Sequence, residues 1–482
     1  MTTEPPTAGP QAADPPTAGP LADGPLASLL MGWLPRQRWY AGKDTPLRTL
    51  TITAGATLER GDPALRHLIV TASQGDGADA RYQVLVGLRR DLPDSLAHAV
   101  IGRLPDGTTA YDALHDPLLA GSLLAGMAQQ RTAGPMAFRR EPGVSFGTWA
   151  GSRVIAAEQS NTSVVFGEAA ILKVLRRLFP GANPDLEVAA ALARLGSARI
   201  APPYGFIATE LDGEPVLLGV LSRYLGRASD GWSMAAASIG RLAARHGDYG
   251  REYLMAPVPA AGPWHPGPSF AEEARQLGSA TAELHADLAM AFGTRWLTKA
   301  ELGSLAGQLT RKLTAAVSAV PELRDYAARI AASYDDLTRL TTPVTVQRIH
   351  GDYHLGQVLR AQDGWIALDF EGEPLVPLEE RTRPHPALRD VAGMLRSFDY
   401  AARHQLLGHP DAGRLRGPAD TWVDECQQAF CAGYARAGGQ DPTATSVLLR
   451  ALTLEKAVYE VIYEAQHRPS WLSIPLDYIA AA

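Results

Sequence analysis

The sequence predicts an α+β fold in which two β-rich units precede a larger, mainly helical lobe. Three observations support this prediction. Short strand-like apolar runs, separated by Gly-rich turns, are frequent between Leu26 and position 222. Long stretches with helical periodicity dominate from about position 226. A strand-turn-strand pattern at 348–373 interrupts these helices and contains two Asp residues.

Length, composition and charge limit the classes of function that the chain can have. Its 482 residues, 46% of them hydrophobic, can form several structural units with sizeable cores. A net charge of -6 and a pI near 6.1 argue against a nucleic-acid partner. Neither a signal peptide nor a membrane-spanning apolar run is apparent, and the cysteines Cys426 and Cys431 are predicted to be buried thiols. We therefore expect a cytoplasmic protein.

Four segments follow from the changes in composition along the chain. Residues 1–25 repeat PPTAGP in a Pro/Ala-rich stretch that lacks core-forming side chains, so a disordered tail is expected. Residues 26–115 are predicted to form a β-rich N-terminal subdomain, and residues 116–222 a second β-rich unit. Residues 223–482 are predicted to form the helical lobe.

The N-terminal subdomain is predicted to begin with a helix and to continue as a small sheet. The helical run is Leu26–Leu34, and the strand-like runs are Leu50–Ala54, His67–Ala72 and Arg81–Gly87. A basic and aromatic cluster, 36–43, lies between them, and we interpret it as a solvated edge rather than as an anion site.

The second unit contains a predicted β-hairpin with one Lys inside an apolar strand. Val164–Phe166 and Ile171–Leu175 are its strands, and Lys173 lies in the second. A Lys among aliphatic residues must reach solvent or meet an anion, and a nucleotide phosphate is such an anion. The preceding loop, which is not Gly-rich, offers the polar side chains of Ser160, Asn161 and Thr162. We therefore expect ATP phosphates to bind here.

A helix and a strand after the hairpin supply further candidate nucleotide contacts. The helix is predicted to begin at Pro184, with Asn183 as its N-cap, and to end at Gly196. Glu187 in its first turns could pair with Lys173, although an acid there also complements the helix dipole. The later strand ends at Arg223 and Tyr224, where an extended backbone could pair with an adenine edge.

The helical lobe is predicted from six periodic stretches. They are Phe270–Phe292, Lys299–Val320, Glu322–Leu340, Leu388–Leu407, Ala419–Ala437 and Ala444–Gln466. A Pro/Gly-rich loop at 256–269 interrupts the region before the first of them.

The strand-turn-strand pattern carries the chemistry. Asp352 in His-Gly-Asp, Gln357 five residues later, and Asp369 in Asp-Phe-Glu have the types and the order found in a protein-kinase-like phosphoryl-transfer site. In such a site the first Asp accepts the proton of the attacking hydroxyl, while the amide and the second Asp bind the metal ion that bridges the ATP phosphates. Asp352 is thus the candidate base, and Gln357 and Asp369 are candidate Mg²⁺ ligands.

A zinc site is the alternative for the same stretch. Every second residue of this stretch is a possible metal ligand, namely His350, Asp352 and His354, which is the spacing of side chains on one face of a strand. Histidine and carboxylate side chains together are typical zinc ligands. The intervening Gly351 and Tyr353, and the lack of a second close His cluster, count against it.

Several of these motifs together resemble a known family. WLPRQRWYAG, AEQSNTSVVFG, ILKVLRR, HGDYHLGQVLR, DFEGEP and EKAVYEVIYEAQHRPSWLSIPL are similar to segments of actinobacterial maltokinases, from about Leu26 to the C-terminus. The resemblance implies an aminoglycoside-phosphotransferase-like, bilobal fold with an N-terminal cap subdomain. It also implies transfer of the γ-phosphate of ATP to maltose, with Mg²⁺, for glycogen or α-glucan synthesis. A functional link to trehalose synthase and to a maltosyltransferase is implied as well.

The resemblance to sugar kinases also directs attention to the last long helix. Tyr459 and Tyr463, and likewise Glu460 and Glu464, recur at four-residue spacing and form an aromatic and an acidic stripe. Aromatic rings stack on sugar rings and carboxylates accept sugar hydroxyls, although a salt-bridged packing helix with Lys456 and Arg468 is the structural alternative. The candidate sugar contacts are His354, Glu371, Tyr459, Glu460, Tyr463, Glu464 and Trp471. Arg389, Asp390 and Arg396, in an earlier helix, are expected to support Asp369 and its loop rather than to reach a phosphate.

The sequence leaves three functions open. A maltose 1-kinase is the leading hypothesis. A kinase for another sugar such as glucosamine, or for an aminoglycoside, would use the same acids. A catalytically silent kinase-like binding module is disfavoured because Lys173, Asp352, Gln357 and Asp369 are all present.

Overall fold

The structure is a computed structural model, and it describes most of the chain. The described residues are 23–42, 45–74, 79–147, 149, 151–155, 161–246, 270–373 and 376–482. Most of the predicted Pro/Ala-rich tail, Ser160 and the Pro/Gly-rich loop at 256–269 lie outside them. None of the helices within these ranges has the length and apolarity needed to cross a membrane.

The chain divides into two compact units, and the fold is α+β as predicted. The first unit comprises Met1–Asn183 and Pro203–Tyr224, and the second comprises Pro184–Pro202 and Leu225–Ala482.

The first unit contains two antiparallel sheets. One follows helix α1 (Asp23–Trp33) and has the order β1-β2-β3-β5-β4, with a further short strand β11 on β3. The other has the order β6-β7-β12-β13-β10-β9-β8, and helix α2 (Pro117–Ala128) precedes it in the chain. The strands are β1 Thr49–Glu59, β2 Ala64–Ser73, β3 Ala80–Arg89, β4 Val100–Arg103, β5 Thr109–Asp112, β6 Thr132–Ala133, β7 Met136–Arg140, β8 Ser152–Ile155, β9 Asn161–Phe166, β10 Ala170–Leu175, β11 Arg177–Leu178, β12 Pro203–Leu211 and β13 Glu214–Arg223.

Alternation of side chains explains why these segments form sheets. In β12 the burial alternates residue by residue, so one face packs on the core and the other is partly exposed. The predicted hairpin is present as β9 and β10, in which Lys173 pairs with Ser163. The turn between them uses Gly167 at φ 55°, a backbone conformation that favours glycine.

The second unit is mainly helical. Helices α5, α9, α10 and α11 surround a single large apolar core that includes Leu277, Phe398 and Val461. The elements are α3 Pro184–Arg194, β14 Ser229–Asp230, α4 Gly231–His246, α5 Ala271–Phe292, β15 Thr294–Trp296, α6 Lys299–Ala319, α7 Ala327–Asp335, β16 Thr345–Gln347, β17 Val358–Ala361, β18 Gly364–Ala367, α8 Leu378–Arg381, α9 Leu388–Leu406, α10 Ala412–Arg436, α11 Ser446–His467 and α12 Ser473–Ala481.

Most predicted helices of this lobe are present within two residues of the expected ends, but two predictions were wrong. The helix predicted from Ala419 begins at Ala412, and Pro418 lies in its interior, a position that the local preference of proline disfavours. The stretch predicted as one helix at 322–340 is a 3₁₀ helix, then α7, then a second 3₁₀ helix.

The predicted strand-turn-strand positions the candidate catalytic residues. β17 and β18 pair as an antiparallel hairpin, joined through Gln362 and Asp363. Gln357 immediately precedes β17, and Asp369 follows β18. The two side chains therefore emerge at the same end of the hairpin.

Candidate active site

The loop that carries Asp352 is fixed from behind by a buried carboxylate. Asp390, near the start of α9, accepts the backbone N–H groups of His350 at 2.8 Å and of Gly351 at 2.9 Å. The Nε2–H of His285 donates to the same carboxylate at 3.0 Å. Burial would raise the pKa of Asp390, but these donors, with His285 foremost, lower it. The loop backbone is thus held by charge-assisted hydrogen bonds.

His350 closes this loop onto the hairpin instead of binding a metal. Its Nε2–H donates to the backbone oxygen of Leu368 at 2.7 Å, and its Nδ1 accepts the N–H of Asp352 at 3.4 Å. Both ring nitrogens are therefore used within the fold, which contradicts the zinc alternative.

Asp352 is ion-paired with a Lys from α11. The Nζ of Lys456 lies 3.0 Å from Oδ1 of Asp352 and 2.8 Å from Oε1 of Glu373. Burial would raise the pKa of Asp352, but the Lys456 ammonium and a smaller contribution from His354 lower it to about 2. The carboxylate of Asp352 is therefore ionised throughout the neutral pH range.

The same pair belongs to a longer row of alternating charges. Arg389 lies 3.7 Å from Glu373 and 2.9 Å from Glu455, and Lys312 lies 3.0 Å from Glu455. The side chains of Glu373 and Glu455 are 6% and 7% exposed, so removing one partner would leave a buried charge uncompensated. This row positions Lys456 against Asp352.

The two candidate metal ligands approach each other at the end of the hairpin. The amide of Gln357 lies 3.5 Å from Oδ2 of Asp369, at the outer limit of a hydrogen bond. Asp369 has φ 62°, a conformation that a non-glycine residue adopts at a cost of about 1–3 kcal/mol and that often marks a functional position.

Asp369 is also part of an acidic group. Oxygen atoms of Asp185, Asp369 and Glu371 lie within 4.8 Å of one another, and Asp185 accepts the N–H of Phe370 at 2.9 Å. Glu371, which the sequence analysis assigned to the sugar, lies in this group. Amide and carboxylate oxygens are the ligands that Mg²⁺ prefers, so the donor set fits that ion.

The predicted sugar contacts other than Glu371 come together around a cavity of about 440 Å³, a size usual for small-molecule sites. Tyr459 and Tyr463 stack with their centroids 6.3 Å apart, and His467 continues the stack 4.5 Å from Tyr463. The four-residue spacing on α11 places these rings in one row. The lining residues include Trp232, Asp352, His354, Tyr400, Lys456, Tyr459, Glu460, Tyr463, Glu464, Arg468 and Trp471.

The two predicted acids of this cavity are engaged in ion pairs. Glu460 accepts from Arg396 at 2.7 Å, and Glu464 accepts from Arg468 at 2.6 Å and from the hydroxyl of Tyr400 at 2.6 Å. On α11, Tyr459 and Tyr463 line the cavity, as the sugar-site prediction requires. Glu460 and Glu464 form salt bridges, as the alternative of a packing helix requires.

The predicted nucleotide contacts of the first unit that lie within the described residues are on its second sheet or directly follow it. Lys173 is half-buried on β10. Thr162 is buried and its hydroxyl accepts from Arg176 at 2.8 Å, so this side chain serves the interior of the unit. Asn161 begins β9, next to Thr162.

The other two predicted nucleotide contacts are at the end of β13, where Arg223 is the last residue of the strand and Tyr224 follows it. The N–H of Tyr224 donates to Ala169 at 2.9 Å, and its hydroxyl accepts from Arg153 at 3.1 Å. The Nε of Arg223 is buried and has no hydrogen-bond partner within the described part of the chain. In the second unit, Glu187 accepts from Arg348 at 3.1 Å.

Sequence reasoning missed the roles of Lys456 and Glu373. Lys456 was considered only as a packing partner, because its 104-residue separation from Asp352 gives no local signal. Glu373 was visible as the third acid of Asp-Phe-Glu-Gly-Glu, and that repetition could have indicated it. Asp390 does support a catalytic loop, but it holds the Asp352 loop and not, as expected, the Asp369 loop.

Comparisons with known proteins identify related sequences. The sequence profile described as the maltokinase N-terminal cap domain covers residues 33–116, and that of the phosphotransferase enzyme family, APH, covers residues 152–439. A glucosamine kinase of Streptacidiphilus jiangxiensis is 32% identical over 369 residues, which are 74% of this chain and 79% of that protein. A glucosamine kinase of Mycolicibacterium smegmatis is 30% identical over 336 residues, 67% of this chain and 78% of that protein.

A solved structure is similar as well. The complex of a glucosamine kinase with glucosamine, ADP and inorganic phosphate has a TM-score of 0.63 and 26% sequence identity. The alignment covers 94% of this chain and 98% of that chain.

Proposed function

Because this chain belongs to the phosphotransferase enzyme family, APH, we propose that it transfers the γ-phosphate of ATP to the anomeric hydroxyl of maltose. The family and the relatives support the more general activity of a sugar or amino-sugar phosphotransferase, without specifying the sugar. The product would be maltose 1-phosphate, a donor for glycogen or α-glucan synthesis, which is why a maltosyltransferase and trehalose synthase are the expected functional neighbours.

The shared cavity of Asp352 and the α11 tyrosines carries this proposal. An ionised carboxylate lies in the wall of a cavity that also offers a row of stacked rings and several charged groups. Aromatic faces take the apolar faces of sugar rings, while carboxylates and cations bind hydroxyl groups. A sugar bound there would present a hydroxyl to Asp352.

Asp352 would act first by orientation. Its oxygen accepts the hydrogen bond of the attacking hydroxyl and so directs the oxygen lone pair at the phosphorus. With a pKa of about 2, Asp352 is a weak base in the ground state. The proton would therefore move to Asp352 as the bond to phosphorus forms, since the hydroxyl becomes more acidic at that stage.

The metal would be bound by the group at the end of the hairpin. Gln357 and Asp369 would hold Mg²⁺, with Asp185 or Glu371 able to add an oxygen ligand. When bound, this ion neutralises the charge of the transferring phosphoryl group. We assign Lys173 to the ATP phosphates, and Asn161, Arg223 and Tyr224 to further nucleotide contacts.

A glucosamine kinase is the second candidate. The two curated relatives and the similar solved structure carry that name, with identities of 26–32%. Glucosamine differs from maltose in its single ring and in its amine, which is charged near neutral pH.

A coupled ADP-release assay tests the proposal. Purified protein with ATP and Mg²⁺ would be given maltose, glucose and glucosamine in parallel, and the phosphorylated position would be assigned by ³¹P NMR. We expect maltose to give the largest kcat/KM and an anomeric phosphate. The Asp352→Asn variant should lose about 10²–10⁴-fold in kcat. Turnover of glucosamine with none of maltose would reject maltose as the acceptor.

A further inference from the structure

The acids that line the sugar cavity are all ion-paired within the described chain. Asp352 is paired with Lys456 at 3.0 Å. Glu460 is paired with Arg396 at 2.7 Å. The third acid, Glu464, accepts two hydrogen bonds from the guanidinium of Arg468, from Nη2 at 2.6 Å and from Nε at 2.9 Å.

The carboxylates of these pairs are shielded from water, and the side chains of Glu464 and Glu460 are 2% and 12% exposed. Arg396 is fully buried, whereas Arg468 is 43% exposed at the cavity wall. Lys456 also binds Glu373, so its ammonium is fixed between two carboxylates. Loss of the cation from any of these pairs would leave a buried carboxylate uncompensated in a region of low dielectric.

Two of the cations belong to the cavity wall itself. Lys456 and Arg468 both line the cavity, and the Arg468 guanidinium stacks on Trp471 with 4.2 Å between its carbon and the ring centroid. A sugar hydroxyl can accept from these cations and donate to the unused lone pairs of the acids. A sugar ammonium can only donate, so it can bind the acids but cannot accept from Lys456 or Arg468, and the charge of both cations repels it.

We propose that Lys456 and Arg468 make the cavity selective for uncharged sugars and against amino sugars in their ammonium form. This inference rests on the proposed function only in that the cavity binds a sugar. It does not require maltose.

The His, the Lys and two of the Tyr in the cavity lining have pKa values shifted away from the window between about pH 6.5 and pH 9. Burial lowers the pKa of His354 and raises the pKa of Tyr400 and of Tyr459. The pKa of Lys456 is raised well above its ordinary value, mainly by Asp352 and Glu373 acting against burial. We therefore expect the sugar amine to dominate the pH dependence of the glucosamine-to-glucose affinity ratio in this window.

Calorimetric titration of the full chain with glucose and with glucosamine tests the inference. We expect glucosamine to bind at least about tenfold more weakly than glucose at pH 6.5, and the difference to shrink at pH 9 as its amine loses the proton. Arg468→Gln should reduce the difference at pH 6.5 by about tenfold, because it frees Glu464 and removes one like charge. Arg468→Lys keeps the charge and should preserve the difference.

Other outcomes separate this inference from the proposed acceptor. Equal affinity for the two sugars at pH 6.5, an affinity ratio independent of pH, or no measurable binding of glucose would each overturn the inference. Phosphorylation of glucose but not maltose would reject the maltose proposal and leave the selectivity intact. Arg416→Gln changes an exposed Arg that is not part of the cavity lining, and it should leave the ratio unchanged.

Discussion

The chemistry of the site is set by one contact, that between Asp352 and Lys456. The ammonium keeps the carboxylate ionised and orients it, and Glu373 holds the ammonium in place. The acid of this trio was predictable because its neighbours along the chain form a recognisable pattern. The cation was not, because an ion pair between residues far apart in sequence depends on how α11 packs.

Removal of the Lys456 charge should change the pH profile of the reaction. Lys456 is the main group that lowers the pKa of Asp352 to about 2, against the effect of burial. Lys456→Met should therefore raise that pKa, so that the acid-side fall of kcat/KM moves up by about 1–2 pH units. The wild-type protein should show no fall due to Asp352 above about pH 4.

The matched control is Lys312→Met. Lys312 belongs to the same row of charges but contacts Glu455 rather than Asp352, and its acid limb should stay in place. Coincident acid limbs for Lys456→Met and the wild type would contradict the electrostatic account.

At the level of elements, two helices build the site around the hairpin. The start of α9 fixes the Asp352 loop through Asp390, and α11 supplies the rings and charges of the cavity. The sequence predicted α11 closely because its periodicity is uninterrupted. It failed at the start of α10, where packing outweighs the local preference of Pro418 against a helix interior.

Asp390→Asn tests the coupling between α9 and the loop. The amide NH₂ would replace one of the two carboxylate oxygens, and it would then face either the N–H of Gly351 at Oδ1 or the N–H of His350 at Oδ2. We expect a loss of about 2–4 kcal/mol in the free energy of unfolding, measured in urea, since a buried network is left unsatisfied. A fall of kcat by at least about tenfold should accompany it, because the loop loses its position.

Asp336→Asn provides the comparison, since Asp336 is half-exposed and pairs with Arg339 at the surface. It should cost less than about 1 kcal/mol. An Asp390→Asn variant with wild-type stability and wild-type kcat would show that the loop does not need this support.

At the scale of the whole molecule, the order of β-rich and helical segments was predictable from composition and periodicity. The family followed from motifs in both units, and the profiles for residues 33–116 and 152–439 agree with it. The motifs and the profiles do not determine which sugar accepts the phosphoryl group. In our proposal, selectivity among sugars depends on the side-chain pairing of the cavity. Sequence spacing alone leaves Glu460 and Glu464 open between sugar contact and salt bridge, and the structure shows them paired with Arg396 and Arg468.

A crystal structure of the protein with maltose tests the central claim most directly. We predict that the reducing-end anomeric oxygen lies within about 3 Å of a carboxylate oxygen of Asp352. The sugar rings should lie against Tyr459 and Tyr463. Maltose bound outside this cavity, or bound with another hydroxyl at Asp352, would contradict the proposed reaction.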